Sequence, residues 1–180
     1  MTKCKDKKYS CSIVTVIRPN NYITLYNDSS FLFSEDIFSP LSFNLVTGTY
    51  INTFIPFLPS SINVINTGSY NLFFNIKYLA NGIMSPGSYI QAAAFVDNTM
   101  VLNSLVTQTL FTDTYDTLEL SNTITLYSGN IVTLKLLVNT GIPDTSVRSL
   151  TTGEVNVLNS SFFTLEESKN LLVSGETPII

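Results

Sequence analysis

Apolar and polar residues alternate with a period of two along much of the chain, most clearly over Thr67–Tyr78, TGSYNLFFNIKY. Tyr70, Leu72, Phe74, Ile76 and Tyr78 fall on alternate positions, with Ser69, Asn71, Asn75 and Lys77 between them. Phe73 is the one apolar residue in the polar set. Successive side chains of a strand point to opposite faces, whereas a helix would scatter these five residues around its circumference. The spacing therefore predicts one strand with an aromatic dry face, onto which the other strands pack.

Shorter segments of the same kind flank it. Ser12–Ile17 (SIVTVI) is apolar and β-branched, Arg18–Asn21 is a turn, and Tyr22–Tyr26 alternates again. Phe31–Phe43, cut by Pro40, reads as an irregular segment or a short edge strand, with enough large apolar residues to cover a neighbouring subunit. Thr49–Phe57 reads as one strand whose end Pro56 and Pro59 confine to an edge. Further strands are expected at Ile62–Ile65, at Tyr89–Val96 with a tight hairpin at Asp97-Asn98, and at Met100–Leu105. Beyond these come a threonine-rich Leu110–Leu120 and strands at Asn122–Tyr127, Ile131–Val138, Val155–Leu158 and Ser161–Leu165. About eight to ten short strands punctuated by Gly, Pro and Asn, with no sustained helical period, predict an all-β sandwich or barrel. No fixed-period repeat points to a solenoid or propeller.

Composition changes the picture in one respect. The chain has 180 residues, enough for one domain burying roughly 70% of its unfolded surface. Only 12% of them are charged, against about 25% in an average soluble domain. Asn, Ser and Thr fill the polar positions, as suits a protein packed against copies of itself or exposed at a cell surface. Four lysines lie in the first eight residues, and the rest of the chain has no basic stripe, which argues against a nucleic-acid partner. No apolar run is long enough for a transmembrane helix. The segment MTKCKDKKYS lacks the apolar run of a secretory signal. The expected organisation is a cysteine-bearing connector, residues 1–11, followed by a single domain over 12–180.

Four stretches together resemble one known family. They are Gly68-Ser69-Tyr70 with Leu72, Phe74 and Ile76; Ala93–Asn98; Leu126–Leu134 (LYSGNIVTL); and Ser161–Leu165. In this order they resemble the jelly-roll domain of complement-type globular heads, tumour-necrosis-factor ligands and bacterial collagen-like exosporium glycoproteins. Thr99 and Asn130 depart from the glycine and aspartate of that pattern. The resemblance covers roughly residues 40–168 and implies a two-sheet antiparallel sandwich that trimerises. No collagen-like stalk precedes it. The layout of connector and jelly roll also resembles the subunits of spore appendage fibres.

Candidate chemistry is sparse. The chain has no histidine, the commonest general base, and no Gly-x-Ser-x-Gly elbow, so an enzyme is not expected. Glu35-Asp36 and Glu166-Glu167 are adjacent, and adjacent residues on a strand point to opposite faces. No cofactor is expected, although Asp113, Asp116 and Glu119 are candidate calcium ligands, alone or gathered around a trimer axis. Cys4 and Cys11 are candidates for interchain disulfides, with an intrachain loop or free thiols as alternatives. Ile13, Val14, Val16 and Ile17 are the candidate self-assembly strand. The expected protein is a self-assembling subunit of a spore-surface layer or appendage fibre, in a ring, trimer or fibre, extracellular without a signal peptide. The alternative is a trimeric complement-like head that binds a receptor or glycan.

Overall fold

The computed structural model describes residues 21–141 and 153–168. The strands in chain order are β1 (Tyr22–Tyr26), β2 (Phe31–Phe33), β3 (Ser39–Pro40), β4 (Leu45–Thr49), β5 (Phe54–Phe57), β6 (Ser61–Val64), β7 (Gly68–Asn81), β8 (Tyr89–Val96), β9 (Thr99–Met100), β10 (Val106–Thr109), β11 (Thr114–Leu126), β12 (Ile131–Asn139), β13 (Glu154–Val157) and β14 (Phe162–Glu167). One short helical turn, Leu102–Ser104, separates β9 from β10. The first sheet runs β2-β13-β7-β14-β1-β4, with β11 also paired to β7. The second runs β10-β8-β12-β6-β5, with β3 beside β12 and β9 beside β8. The protein is an all-β, antiparallel jelly-roll sandwich.

The strand around which the alternation pattern is organised holds the first sheet together. β7 is 14 residues long, and β11 pairs with it from Gly68↔Leu126 to Ala80↔Thr114. Its other edge carries β13 opposite Tyr78–Asn81 and then β14 opposite Tyr70–Asn75. Between these two partners the ladder is interrupted at Lys77. Ser161 stands in for the missing strand: its buried Oγ accepts from the Lys77 amide at 3.1 Å and donates to the Leu158 carbonyl at 2.8 Å. The Lys77 carbonyl in turn accepts from the Leu158 amide at 2.8 Å.

The core lies between the sheets. Tyr70, Leu72, Phe74, Ile76, Tyr78 and Ala80 form the buried face of β7, and Leu118, Ile124 and Leu126 that of β11. Ile90, Ala92 and Ala94 of β8 face them with Val132, Leu134, Leu136 and Val138 of β12. Phe54 meets the Tyr70 ring edge-on, with centroids 5.5 Å apart, in a favoured aromatic geometry.

Several segments differ from the expectations of the sequence. Thr49–Phe57 is not one strand. The amides of Thr53 and Phe54 both donate to the Tyr50 carbonyl, closing a turn that separates β4 from β5. β4 itself begins at Leu45 and passes through Gly48, whose φ of +135° favours glycine. Pro56 does lie on an edge strand, since β5 ends its sheet. Met100–Leu105 is not a returning strand, because Ser104 is buried and its Oγ bonds the Ala94 amide at 2.9 Å and the Val101 carbonyl at 2.6 Å, bending the chain. Leu110–Leu120 and Asn122–Tyr127 merge into the single strand β11. Within Phe31–Phe43, Phe33, Leu41 and Phe43 are buried in this chain's own core, leaving Leu32 and Ile37 exposed. Asp97 and Asn98 form the expected hairpin, both with positive φ, as a mirror-image turn requires.

Replacing Ser161 with alanine leaves the Lys77 amide without an acceptor in a buried site. Urea unfolding of Ser161→Ala is expected to show a loss of about 1–3 kcal/mol. A change below about 0.5 kcal/mol, typical of a neutral surface substitution, would contradict the bridging role.

Candidate functional site

The outer face of the first sheet is the surface that the fold assembles from most distant parts of the sequence. Pairing places Tyr26 beside Phe162 and Phe162 beside Asn75. The next row places Thr24 beside Thr164 and Thr164 beside Phe73. The Thr24 and Thr164 hydroxyls lie 2.7 Å apart in a cross-strand hydrogen bond. All of these side chains are half-buried, alternating with core residues on β1, β7 and β14. Phe73, the apolar exception in the wet half of the β7 pattern, lies at the centre of this face. Charge lies toward its ends and edges: Glu166 follows on β14, Lys77 on β7, and Glu119 on β11, opposite Asn75.

Asn75 adds a second observation. Its side-chain Oδ1 is fully buried and accepts no hydrogen bond from the described residues. A buried carbonyl without a donor costs about 1–3 kcal/mol. On the other sheet, the Oδ1 of Asn63 has the same status, flanked in register by Ile55 and Ile131.

The candidate calcium ligands diverge within one chain. Asp113 sits in the turn before β11, with φ 51°. Asp116 accepts from the Gln108 side-chain amide and, at 2.7 Å, from the Thr117 amide. Glu119 is three residues further along the same strand, and so on the opposite face, where it is exposed. Among the described residues, no group of three or more His, Cys, Asp or Glu is placed to hold a metal. Cys4, Cys11, Ile13, Val14, Val16 and Ile17 lie outside the described residues. Asn27, which opens the Asn-x-Ser sequence Asn27-Asp28-Ser29, is buried: its Nδ2 donates to the Ser42 carbonyl at 2.8 Å and its Oδ1 accepts from the Asn44 amide at 3.1 Å.

Two tyrosines have strongly displaced acidities. Burial, and then the Glu167 carboxylate, push Tyr70 up to about 12; burial, and then Asp116, do the same for Tyr78. Both displacements keep the phenols neutral, so neither is a base at neutral pH.

No protein-family model and no curated protein sequence matches the chain. Solved structures do match. The Eiger TNF structure from S. frugiperda superposes with a TM-score of 0.55 at 14% identity, covering 89% of this chain and all of that one. Murine APRIL at pH 5.0 superposes with a TM-score of 0.53 at 12% identity, covering 83% of this chain and 100% of that one. The fold is a tumour-necrosis-factor-like jelly roll. At these identities the likeness is one of fold alone. Neither neighbour is named as an enzyme, and neither points to a spore-surface layer or an appendage fibre.

For Tyr70 and Tyr78 the folded pKa of about 12 lies above the unfolded value of 10.0. Their contribution to stability is therefore complete below pH 10 and lost as pH rises through about 12. Alkaline titration followed by tyrosinate absorbance should show a component that ionises well above pH 10, together with loss of the β-sheet circular dichroism. Absence of any such late component, with the sheet intact, would contradict it.

Proposed function

We propose that the chain is a self-associating, trimeric tumour-necrosis-factor-like head, that its subunits meet over the outer face of the β7 sheet, and that it binds a receptor or glycan with the surfaces left free. The observation that carries this reading is the half-buried aromatic group on that face, Tyr26 beside Phe162 and Phe73 diagonal to it, with the charges Glu119 and Lys77 to one side. Depletion of charge with enrichment of aromatics marks the core of a protein interface. A second copy would supply cover for these rings, which one chain leaves half-buried. The low charge content of the whole chain and the fold it shares with Eiger TNF agree with this reading. A threefold ring is heterologous, so the face meets a different surface on the next copy.

An extracellular location follows from this role and forms part of the proposal. So do two features of the N-terminal segment: strand addition by Ile13, Val14, Val16 and Ile17, and interchain linkage by Cys4 and Cys11. A spore-surface layer has less behind it, since no observation on the fold favours it over the head.

Light scattering on the purified protein should give a mass close to three times 19.9 kDa. Phe73→Glu places a charge at the centre of the contact. It should weaken association about thirtyfold or more while the β-sheet spectrum is retained. A wild-type mass of one subunit at micromolar concentration, or an unchanged trimer in Phe73→Glu, would overturn the proposal.

A further inference from the structure

A groove of about 540 Å³ opens at one end of the sandwich, between the β8–β9 hairpin and the free edge of β11. Its floor is apolar, made by Val96, Val101 and Ile124, and its rim carries Thr99, Asn103, Thr125 and Tyr127. Among the described residues, no charged side chain lines it. Tyr127 is 63% exposed, so its ring face is open to a ligand.

Both walls are held in place. On one side, buried Ser104 ties the helical turn to β8, with its Oγ bonded to the Ala94 amide and the Val101 carbonyl. The Asn122 side-chain amide fastens that turn to β11 by donating to the Asn103 carbonyl at 3.1 Å. On the other side, Tyr127–Asn130 forms a closed turn: the Asn130 Oδ1 accepts from the Tyr127 amide at 2.7 Å and the Asn130 amide donates to the Tyr127 carbonyl at 3.0 Å. Asp97 braces this turn through the Asn130 side-chain amide at 2.6 Å and the Ile131 amide at 2.8 Å. Asn130 is thus fully committed to the scaffold.

The remaining polar groups are uncommitted. The hydroxyls of Thr99, Thr125 and Tyr127 and the side-chain amide of Asn103 make no hydrogen bond with the described residues. The β11 backbone adds to them. The Thr123 amide is turned away from β7 and takes the Asn122 Oδ1 at 2.8 Å. By the alternation of an antiparallel ladder, Thr125, two residues on, also directs its N–H and C=O to the free edge. The groove therefore offers one exposed aromatic ring, a short apolar floor and several neutral donors and acceptors on rigid supports.

We infer that this groove binds a neutral carbohydrate. A sugar ring has an apolar C–H face that stacks on an aromatic ring, and hydroxyls that each donate and accept. Neutral hydroxyl and amide partners satisfy those groups without the desolvation cost of a charge. A preformed site with few convergent polar groups is the usual architecture for a small ligand. The inference rests on the head reading above and names the ligand class and place that reading leaves open.

Saturation-transfer NMR tests it on the 180-residue chain with a panel of neutral sugars: glucose, galactose, rhamnose, N-acetylglucosamine and their methyl glycosides. Transfer to the ring C–H protons of at least one sugar is expected. Tyr127→Ala should weaken that sugar's binding about tenfold, the scale of one lost stacking contact. Tyr115→Ala, which removes a similarly exposed ring outside the groove, should leave it unchanged. Light scattering on the same samples reports the oligomer separately. Sugar binding by a single subunit would overturn the trimer and leave the groove standing. A trimer without transfer from any sugar on the panel, or with transfer that survives Tyr127→Ala, would overturn the groove and leave the trimer.

Discussion

The strand β7 is hydrogen-bonded along both edges while its dry face floors the core, and the rest of the first sheet depends on that double commitment. β11 fixes one edge for nearly the full length of the strand, and β13 and β14 divide the other. Because the side-chain period is two, a one-residue slip would put Asn71, Asn75 and Lys77 where Leu72, Ile76 and Tyr78 now lie. The register is therefore specified by burial at every second residue from Tyr70 to Ala80, which are all within 2% of complete burial. Ser161 keeps this arrangement continuous at the one position where the partner strands change over.

Fixing the register decides the outer face as well. The intervening residues Ser69, Asn71, Phe73, Asn75 and Lys77 must then point out, Phe73 included. Neighbouring strands then bring Thr164 and Phe162 beside them, with Thr24 and Tyr26 beyond. A free surface at this position would carry charge, as surfaces normally do. This one groups the half-buried rings of Tyr26, Phe162 and Phe73 and holds Glu119 and Lys77 to one side of them. Among the described residues, the far edge of β11 has no strand partner at Thr123–Leu126, where the groove beside Tyr127 opens.

Much of this was legible in the sequence where alternation was unbroken. β7, β8 and β12 stand out because apolar residues recur at every second position, and Asp97-Asn98 because the hairpin turn needs residues that tolerate positive φ. The failures have local causes. β11 reads as two strands because Asn122 occupies an inward position, and its amide is spent on the Asn103 carbonyl, a partner that only the fold supplies. β4 is invisible because LVTGT contains a glycine and two threonines in a short edge strand. The outer face was announced by one residue, Phe73. Its neighbours Tyr26 and Phe162 come from opposite ends of the chain, and no local pattern joins them. The carboxylates Asp113, Asp116 and Glu119 looked clustered because they are close in sequence, yet strand geometry sends Asp116 and Glu119 to opposite faces.

If the face over Phe73 and Asn75 is finished only by another copy, folding and assembly are coupled, and stability must depend on how much protein is present. The most direct measurement is the thermal unfolding midpoint over about a hundredfold range of protein concentration. The account predicts that the midpoint rises steadily with concentration. A midpoint that stays constant across the whole range would show that the single chain is already complete, and would contradict it.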